Sequence, residues 1–179
     1  MEKPVIIAFG ANIDPLNNIY RGLSNLHRKI KLVAISTVWR TAPLPDPKHG
    51  AKYDLGGSYL NGAVLSHDQI DPFILKSTLR QIEADCHRQR SVNRFAPRPL
   101  DLDIVMVGDE VVSQQGMVLP DPDFLSRAFV ALPVAQLAPE MIHPTVHKSL
   151  AQLASAFLPV TEDMVVDQEA TNLLQSIIS

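Results

Sequence analysis

Cysteine is almost absent from this chain of 179 residues: Cys86 is the one copy, so no disulfide can form within the chain. A chain without disulfides suits a reducing compartment. Long apolar runs are absent too, because none approaches the ~18 residues that a membrane-spanning helix needs. The first apolar stretch, which follows Lys3, is too short for the core of a signal peptide. These absences predict a cytoplasmic protein with no membrane partner.

An excess of positive charge is also missing. Lys and Arg number 16 against 19 Asp and Glu, which gives a formal net charge of −3. This balance argues against a protein that binds nucleic acid through bulk charge, although it leaves a local basic patch open. Neither the phosphate-binding pattern GxxxxGK[ST] nor the dinucleotide-binding pattern GxGxxG occurs. A nucleotide, if one is bound, must be held in another way.

What is present is the pattern of one α+β domain, expected over residues 1–179 with a C-terminal extension after about residue 158. This split βαβ pattern (strand, helix, strand, strand, helix, strand) predicts a ferredoxin-like fold, with a mostly antiparallel sheet and helices packed on one face. The strands are predicted at 4–12, 31–41, 58–66 and from 100 onward, and the helices at 14–30 and 71–86, with shorter helices within 124–137, 149–157 and 172–178.

Two long loops interrupt this pattern. The first, 42–57, is rich in proline and glycine, and the second covers 89–99. Loops of such length within a compact domain are usually functional. We expect both to close over a site and exclude water.

A pair of histidines has the spacing of a helical metal site. His143 and His147 lie four residues apart, but Pro144 between them disfavours an unbroken helix. Both are therefore predicted to be surface residues.

Two aspartates begin the last strand, in the segment RPLDLDIVMV. Residues two apart in a strand point to the same face, so Asp101 and Asp103 share one face and Leu102 takes the other. Neighbouring carboxylates repel unless a cation or a proton intervenes. Mg²⁺ fits, because it takes one or two carboxylates and completes its shell with water and phosphate oxygens; a pair of ions about 3.5–4 Å apart fits as well. The alternative is a solvated strand end.

Four arginines precede the aspartates: Arg88, Arg90, Arg94 and Arg98. Guanidinium groups clamp phosphate oxygens in a fork. Taken alone, the cluster also fits a solvated or RNA-facing loop. Together with the aspartates it favours a nucleoside triphosphate, whose charge metal ions and arginines share through the transition state.

The segment RFAPRPLDLDIVM resembles the signature of the 6-hydroxymethyl-7,8-dihydropterin pyrophosphokinase family. Five further segments resemble the same family in order and spacing, over about 5–144: AFGAN, VWRTAPL, SYLNGAV, RQIEADCHRQR and LPDPDFLSRAFVALPVAQLAPE. The resemblance implies a ferredoxin-like α+β domain. It also implies an enzyme of folate biosynthesis that transfers pyrophosphate from ATP to the pterin hydroxymethyl group and releases AMP.

The resemblance further implies roles for individual residues. Asp101 and Asp103 would bind two Mg²⁺ ions and, with Arg88 and Arg98, form the catalytic set. The positions matching the ATP site are Arg80, Glu83, Arg88, Arg98, Asp121 and Arg127. The positions matching the pterin site are Thr41, Ala42, Leu44, Tyr59, Asn61, Phe95 and Phe129, with Tyr59 and Phe129 as the aromatics that sandwich the ring.

Several positions depart from the family pattern. Asp121 stands where the family usually has His, and a carboxylate there would repel phosphates unless it faces a cation. Arg80 stands where Gln is frequent, and we hypothesise that it offsets Asp121. Ala42 replaces a usual Pro. These departures keep two alternatives open: a catalytically weakened homologue that still binds pterin or ATP, and an RNA-binding ferredoxin-like module that uses the arginine loop.

Overall fold

The computed structural model describes residues 3–43, 57–88 and 96–179. In chain order its strands and helices are β1 (Val5–Ala11), α1 (Pro15–Lys29), β2 (Leu32–Ile35), β3 (Trp39–Thr41), β4 (Tyr59–Ser66), α2 (Pro72–Asp85), β5 (Asp101–Val107), β6 (Val112–Gln114), β7 (Met117–Leu119), α3 (Ala128–Leu137), α4 (Leu150–Ala154), β8 (Met164–Val166) and α5 (Gln168–Gln175). Short 3-10 turns cover Pro122–Leu125, Ser155–Phe157 and Ser176–Ile178. No helix among these described residues is long and apolar enough to cross a membrane.

One antiparallel sheet organises the molecule. Its strand order is β5-β1-β4-β3-β8, and β2 also pairs with β4. The inner strand β1 brings residues of its two neighbours to the same position along the sheet, because Gly10 pairs with Asp101 of β5 on one side and with Asn61 of β4 on the other. The sheet confirms the ferredoxin-like α+β prediction.

Helices cover both faces of the sheet, not one as predicted. Alternate residues of β1 point to opposite faces, so Ile7 joins the core cluster that includes α1, α2 and α5, whereas Ile6 joins a second cluster with α3 and α4. Both isoleucines are fully buried. A strand that is apolar on both faces requires a helical layer on each side. The continuous apolar run VII at residues 5–7 therefore already indicated that both faces are covered.

The second predicted strand, 31–41, is in fact two strands. It breaks at Ser36, whose side chain accepts the Ala63 N–H at 2.9 Å, and Thr37 donates its N–H to Gln136 Oε1 at 2.9 Å. Side chains thus replace part of the regular ladder here, although the Ser36 N–H still donates to the Ala63 carbonyl at 3.0 Å, and β3 then begins as a separate short strand.

Three strands were not predicted at all. β6 and β7 form a separate hairpin whose turn residues, Gln115 and Gly116, both have positive φ (51° and 70°), as a two-residue hairpin turn requires. β8 joins the main sheet beside β3. These elements are three residues long, too short for the alternation of apolar residues to stand out in the sequence.

The surface prediction for His143 is wrong. Its side chain is 2% exposed and stacks on the buried ring of Phe124, with the ring centroids 5.8 Å apart. The chain is not helical there; instead the His143 N–H donates to the Lys148 carbonyl at 2.9 Å and closes a turn. Burial lowers the pKa of the imidazole, which keeps it neutral within the second core cluster.

Candidate active site

A cleft of about 860 Å³ opens where β1, β4 and β5 meet α2, the β6–β7 hairpin and the start of α3. Most of the predicted site residues lie in its lining: Thr41, Ala42, Tyr59, Asn61, Arg80, Arg98, Asp101, Asp103, Asp121, Arg127 and Phe129. Glu83 and Arg88 are not part of this lining but contact it, because Arg88 donates to Asp101 and Glu83 accepts the Leu102 N–H. Leu44 and Phe95, together with most of the two predicted lid loops, fall outside the described residues.

Asp101 and Asp103 lie side by side on β5 and face the cleft, as the alternation of the strand predicts. Between them, Leu102 points into the first core cluster. Asp101 receives hydrogen bonds from two guanidinium groups, Arg88 on one oxygen and Arg98 on the other. Three of the predicted catalytic groups therefore form one charged unit with Asp101 at its centre.

Glu83 holds this charged unit in place through Arg88. Its side chain is 2% exposed, and one carboxylate oxygen accepts both the Leu102 N–H, at 2.9 Å, and a hydrogen bond from Arg88. A buried carboxylate is tolerated only where a cation and hydrogen bonds satisfy it. Glu83 therefore fixes the side chain of Arg88 and the start of β5. Its predicted contact with ATP stays a prediction, because the residue does not line the cleft.

Arg98 is held by the end of β1. Asn12 accepts the Arg98 N–H on its side-chain oxygen at 2.7 Å, and the Arg98 carbonyl accepts the backbone N–H groups of Asn12 and Ile13 at 2.9 and 3.2 Å. This reciprocal arrangement makes Asn12 a positioning residue that sequence reasoning missed. The signal was a polar residue just past an apolar strand, which is too common a pattern to single out.

Negative charge accumulates around Asp103. Asp103 is exposed to the cleft, but desolvation by the surrounding protein is the first cause that raises the pKa of its carboxyl, from 3.8 to about 7. The charges of Asp101, Asp121 and Glu83 raise it further, whereas Arg88 opposes the shift. The cleft is thus built to receive positive charge at Asp103.

Asp121 has its own place in this arrangement. Its side chain accepts the Asp123 N–H at 2.8 Å and so caps the 3-10 turn Pro122–Leu125. Burial is the main cause that raises the pKa of Asp121; the Asp123 N–H and the charge of Lys76 both lower it. Lys76 lies one helical turn before Arg80 on α2, and both line the cleft. Sequence reasoning named Arg80 as the balancing cation and missed Lys76, although their four-residue spacing on one helix face was visible.

Strands β3 and β4 bring uncharged polar and aromatic side chains to the same cleft. Asn61 is 6% exposed, and its amide donates to Thr41 Oγ1 at 2.8 Å. This hydrogen bond satisfies a buried amide in the middle of a strand. Tyr59 and Phe129 line the same cleft. Gly10 faces Asn61 so closely that a Cβ on it would stand 2.7 Å from the amide oxygen. A side chain at position 10 would therefore collide with the Asn61 amide.

A ferredoxin-like sheet whose cleft combines paired carboxylates and arginines with a buried amide and two aromatic side chains is typical of one class of protein: enzymes that act on phosphate groups. Residues 6–139 match the family described as 7,8-dihydro-6-hydroxymethylpterin-pyrophosphokinase (HPPK). The chain belongs to this family.

Similar proteins agree with this family. The chain is 30% identical over 151 residues to the 2-amino-4-hydroxy-6-hydroxymethyldihydropteridine pyrophosphokinase of Synechocystis sp., covering 83% of this chain and 73% of that protein. It is 31% identical over 147 residues to the protein of the same name from Pseudomonas aeruginosa, covering 80% and 86%. The folic acid synthesis protein fol1 of Schizosaccharomyces pombe is 29% identical over 154 residues, which are 84% of this chain but 20% of that protein.

Solved structures share the fold. An HPPK-DHPS in complex with substrates superposes with a TM-score of 0.66 at 12% identity, over 87% of this chain and 44% of that one. The wild-type Plasmodium falciparum HPPK-DHPS with STZ-DHP gives 0.67 at 11% identity, over 90% and 46%. This chain therefore spans less than half of each of these solved chains.

Proposed function

We propose that this protein transfers the β,γ-pyrophosphate of ATP to the hydroxymethyl group of 6-hydroxymethyl-7,8-dihydropterin and releases AMP, a step of folate biosynthesis. The observation that carries the proposal is the pairing, in one cleft, of the Asp101–Asp103 pair and its arginines with the amide of Asn61 and its aromatic neighbours. Family membership and the names of the relatives that match along most of their length support it.

The carboxylates fit a role in holding Mg²⁺, and we propose that Asp101 and Asp103 bind two such ions. The described residues contain no group of three or more His, Cys, Asp or Glu that would hold a metal ion by itself. Two carboxylates on an open cleft suit Mg²⁺, which keeps water and substrate oxygens in the remaining positions. When bound, such ions neutralise phosphate charge and stabilise the attacking and leaving oxygens.

The basic residues account for the rest of the phosphate charge in this proposal. Arg98 lies at the cleft wall and Arg88 beneath it, both tied to Asp101, while Arg80 and Lys76 approach from α2. Fixed cations of this kind bind the polyphosphate and follow its charge into the transition state. Arg88 is held on two sides, because it donates to Asp101 and to the buried Glu83, which also accepts the Leu102 N–H.

The pterin occupies the other end in this proposal. Asn61 offers a hydrogen-bond donor and an acceptor to the amide-like edge of the ring, and Tyr59 and Phe129 provide aromatic faces for stacking. The pterin hydroxyl then lies in line with the β-phosphorus of the triphosphate and the bond that breaks. The pterin hydroxyl oxygen bonds to the β-phosphorus and loses its proton to water, while the bond between that phosphorus and the oxygen bridging to the α-phosphate breaks and AMP leaves.

The decisive experiment measures AMP release from ATP and Mg²⁺ with and without hydroxymethyl-dihydropterin. We expect release that depends on the pterin, and we expect Asp101→Asn and Asp103→Asn each to lower kcat at least about a hundredfold, the scale of losing one electrostatic group of a transition state. The matched control is Asp109→Asn, an exposed aspartate in the turn after β5. Full activity in either cleft variant would refute the metal assignment.

Asp121 motivates one second candidate, a weakened homologue that binds its ligands without turnover. Calorimetry that shows pterin binding, with no AMP released from Mg-ATP, would favour this candidate. The RNA-binding alternative fits the cleft poorly, because clustered carboxylates repel a polyanion. A cytoplasmic location stays a prediction from the sequence.

A further inference from the structure

The short strand β3 carries one wall of the cleft. It has three residues, and its last one, Thr41, holds the Asn61 amide at 2.8 Å. Ala42 follows immediately and also lines the cleft. On one side β3 pairs with β4, with Thr41 opposite Tyr59. A strand this short gains little stability from one neighbour, so what lies on its other side matters for the site.

The C-terminal segment supplies that other side. β8 pairs antiparallel with β3, so that Met164 stands opposite Thr41, and the Ala42 N–H donates to the Asp163 carbonyl at 3.3 Å. At the start of β3, Val38 is held at both backbone groups: its N–H donates to Thr171 Oγ1 at 2.9 Å, and its carbonyl accepts the Asp167 N–H at 2.9 Å.

This segment is firmly anchored itself. Ala170 and Leu174 of α5 are buried in the first core cluster, and the side chain of Gln175 donates to the Ile35 carbonyl at 3.0 Å. Thr171 is 4% exposed, so its bond to Val38 is shielded from water. The family match ends at residue 139, well before β8 begins. The contacts are therefore a feature of this chain outside the matched region.

We propose that β8 and α5 are a positioning element for the pterin half of the cleft. They hold β3 in the register in which Thr41 meets Asn61 and Ala42 lines the cleft. The assignment of this half to the pterin rests on the proposed function, whereas the positioning of β3 does not. Thr171 acts through Val38 and β3 and touches no substrate, so it is a positioning residue.

The test replaces Thr171 in the full-length chain. Thr171→Val keeps the shape but leaves the buried Val38 N–H without its acceptor, and Thr171→Ser keeps the hydroxyl. We expect Thr171→Val to raise the KM for hydroxymethyl-dihydropterin by about fivefold or more, the scale of an unsatisfied buried N–H, while the KM for ATP stays unchanged. Thr171→Ser restores the parent value.

A matched control separates positioning from loss of stability. Ser149 forms a capping box with Gln152 at the start of α4, on the opposite face of the sheet. Ser149→Ala lowers the melting temperature through a lost helix cap, but is expected to leave both KM values unchanged. Equal changes in the two KM values of Thr171→Val, or no change in a folded variant, would overturn the proposal.

A second measurement needs no substrate. Trp39, the single tryptophan of the chain, lies on β3 opposite Val166. We expect Thr171→Val, unlike Thr171→Ser and Ser149→Ala, to shift its emission to the red and to speed hydrogen exchange in a peptide covering residues 36–42. If the parent protein does not use pterin, the proposed function fails, and these two signals still decide whether the C-terminal segment positions β3. Unchanged signals refute the positioning.

Discussion

At the scale of the residue, the Asp103 carboxyl has a strongly raised pKa although it is exposed to the cleft. Desolvation, and then the nearby charges of Asp101, Asp121 and Glu83, raise its pKa from 3.8 to about 7. The folded chain therefore holds this proton more tightly than the unfolded chain does. By linkage, Asp103 lowers the free energy of unfolding progressively as the pH rises from about 4 to about 7. Without a metal ion, the site costs stability at neutral and alkaline pH.

A substitution at Asp103 tests whether its charge destabilises the folded chain. In the presence of EDTA, Asp103→Asn is expected to raise the melting temperature at pH 8 clearly more than at pH 5, because the amide never carries the charge. Thermal unfolding followed by circular dichroism at the two pH values measures the difference. Asp109→Asn serves as the exposed control with no such dependence. An identical shift at both pH values would mean that Asp103 is not strained in the folded chain.

At the scale of a single element, α2 contributes cations to the part of the cleft that we propose holds the nucleotide. Asp71 caps its start by accepting the Phe73 and Ile74 N–H groups at 2.8 and 3.1 Å. One face of the helix then presents Lys76 and Arg80 to the cleft, and the Lys76 ammonium also donates to the Gly116 carbonyl of the hairpin. The helix thus connects the acidic cluster to the hairpin that forms the opposite wall.

Lys76→Met tests this arrangement, because methionine keeps much of the apolar stem and removes the charge. We expect the KM for ATP to rise roughly twofold to fivefold, the range for one partly exposed charge pair, with the KM for the pterin unchanged. Steady-state kinetics at low ionic strength measure both values. Lys29→Met, in the exposed last turn of α1, is the control. A change in the pterin KM alone would contradict the assignment of Lys76 to ATP binding.

At the scale of the whole molecule, one sheet links two helical layers, and the C-terminal helix belongs to the first of them. Leu174 of α5 is fully buried in the same cluster as Leu23 of α1 and Leu75 of α2. This packing supports our proposal that residues 1–179 form a single folding unit, to which the segment after about residue 158 contributes.

Neighbouring leucines of α5 provide the test. Leu174→Ala should lower the free energy of unfolding by about 2–5 kcal/mol, since it empties a buried site. Leu173→Ala, where the native side chain is 42% exposed, should change it by less than about 1 kcal/mol. Urea unfolding followed by Trp39 fluorescence and by circular dichroism should give coincident transitions. Two separate transitions would divide the chain into two units.

Local signals in the sequence were enough for much of this architecture. Alternation along β5 places Asp101 and Asp103 on one face, and the Asp71–Pro72 pair predicts where α2 begins. Such features depend on residues close in the chain, where the period of the backbone fixes which side chains share a face. Apolar periodicity likewise predicted the order of the main strands and helices, and hence the ferredoxin-like class.

Sequence alone determined the fold class and the acid-and-arginine composition of the site. Only the tertiary structure decided that Glu83 pairs with Arg88, that Lys76 lies near enough to lower the pKa of Asp121, that His143 is buried and that β8 pairs with β3. Each of these depends on residues from different elements, and their meeting is set by strand order, register and the packing of layers. No local pattern encodes such distances, because they are properties of the assembled sheet rather than of any one segment.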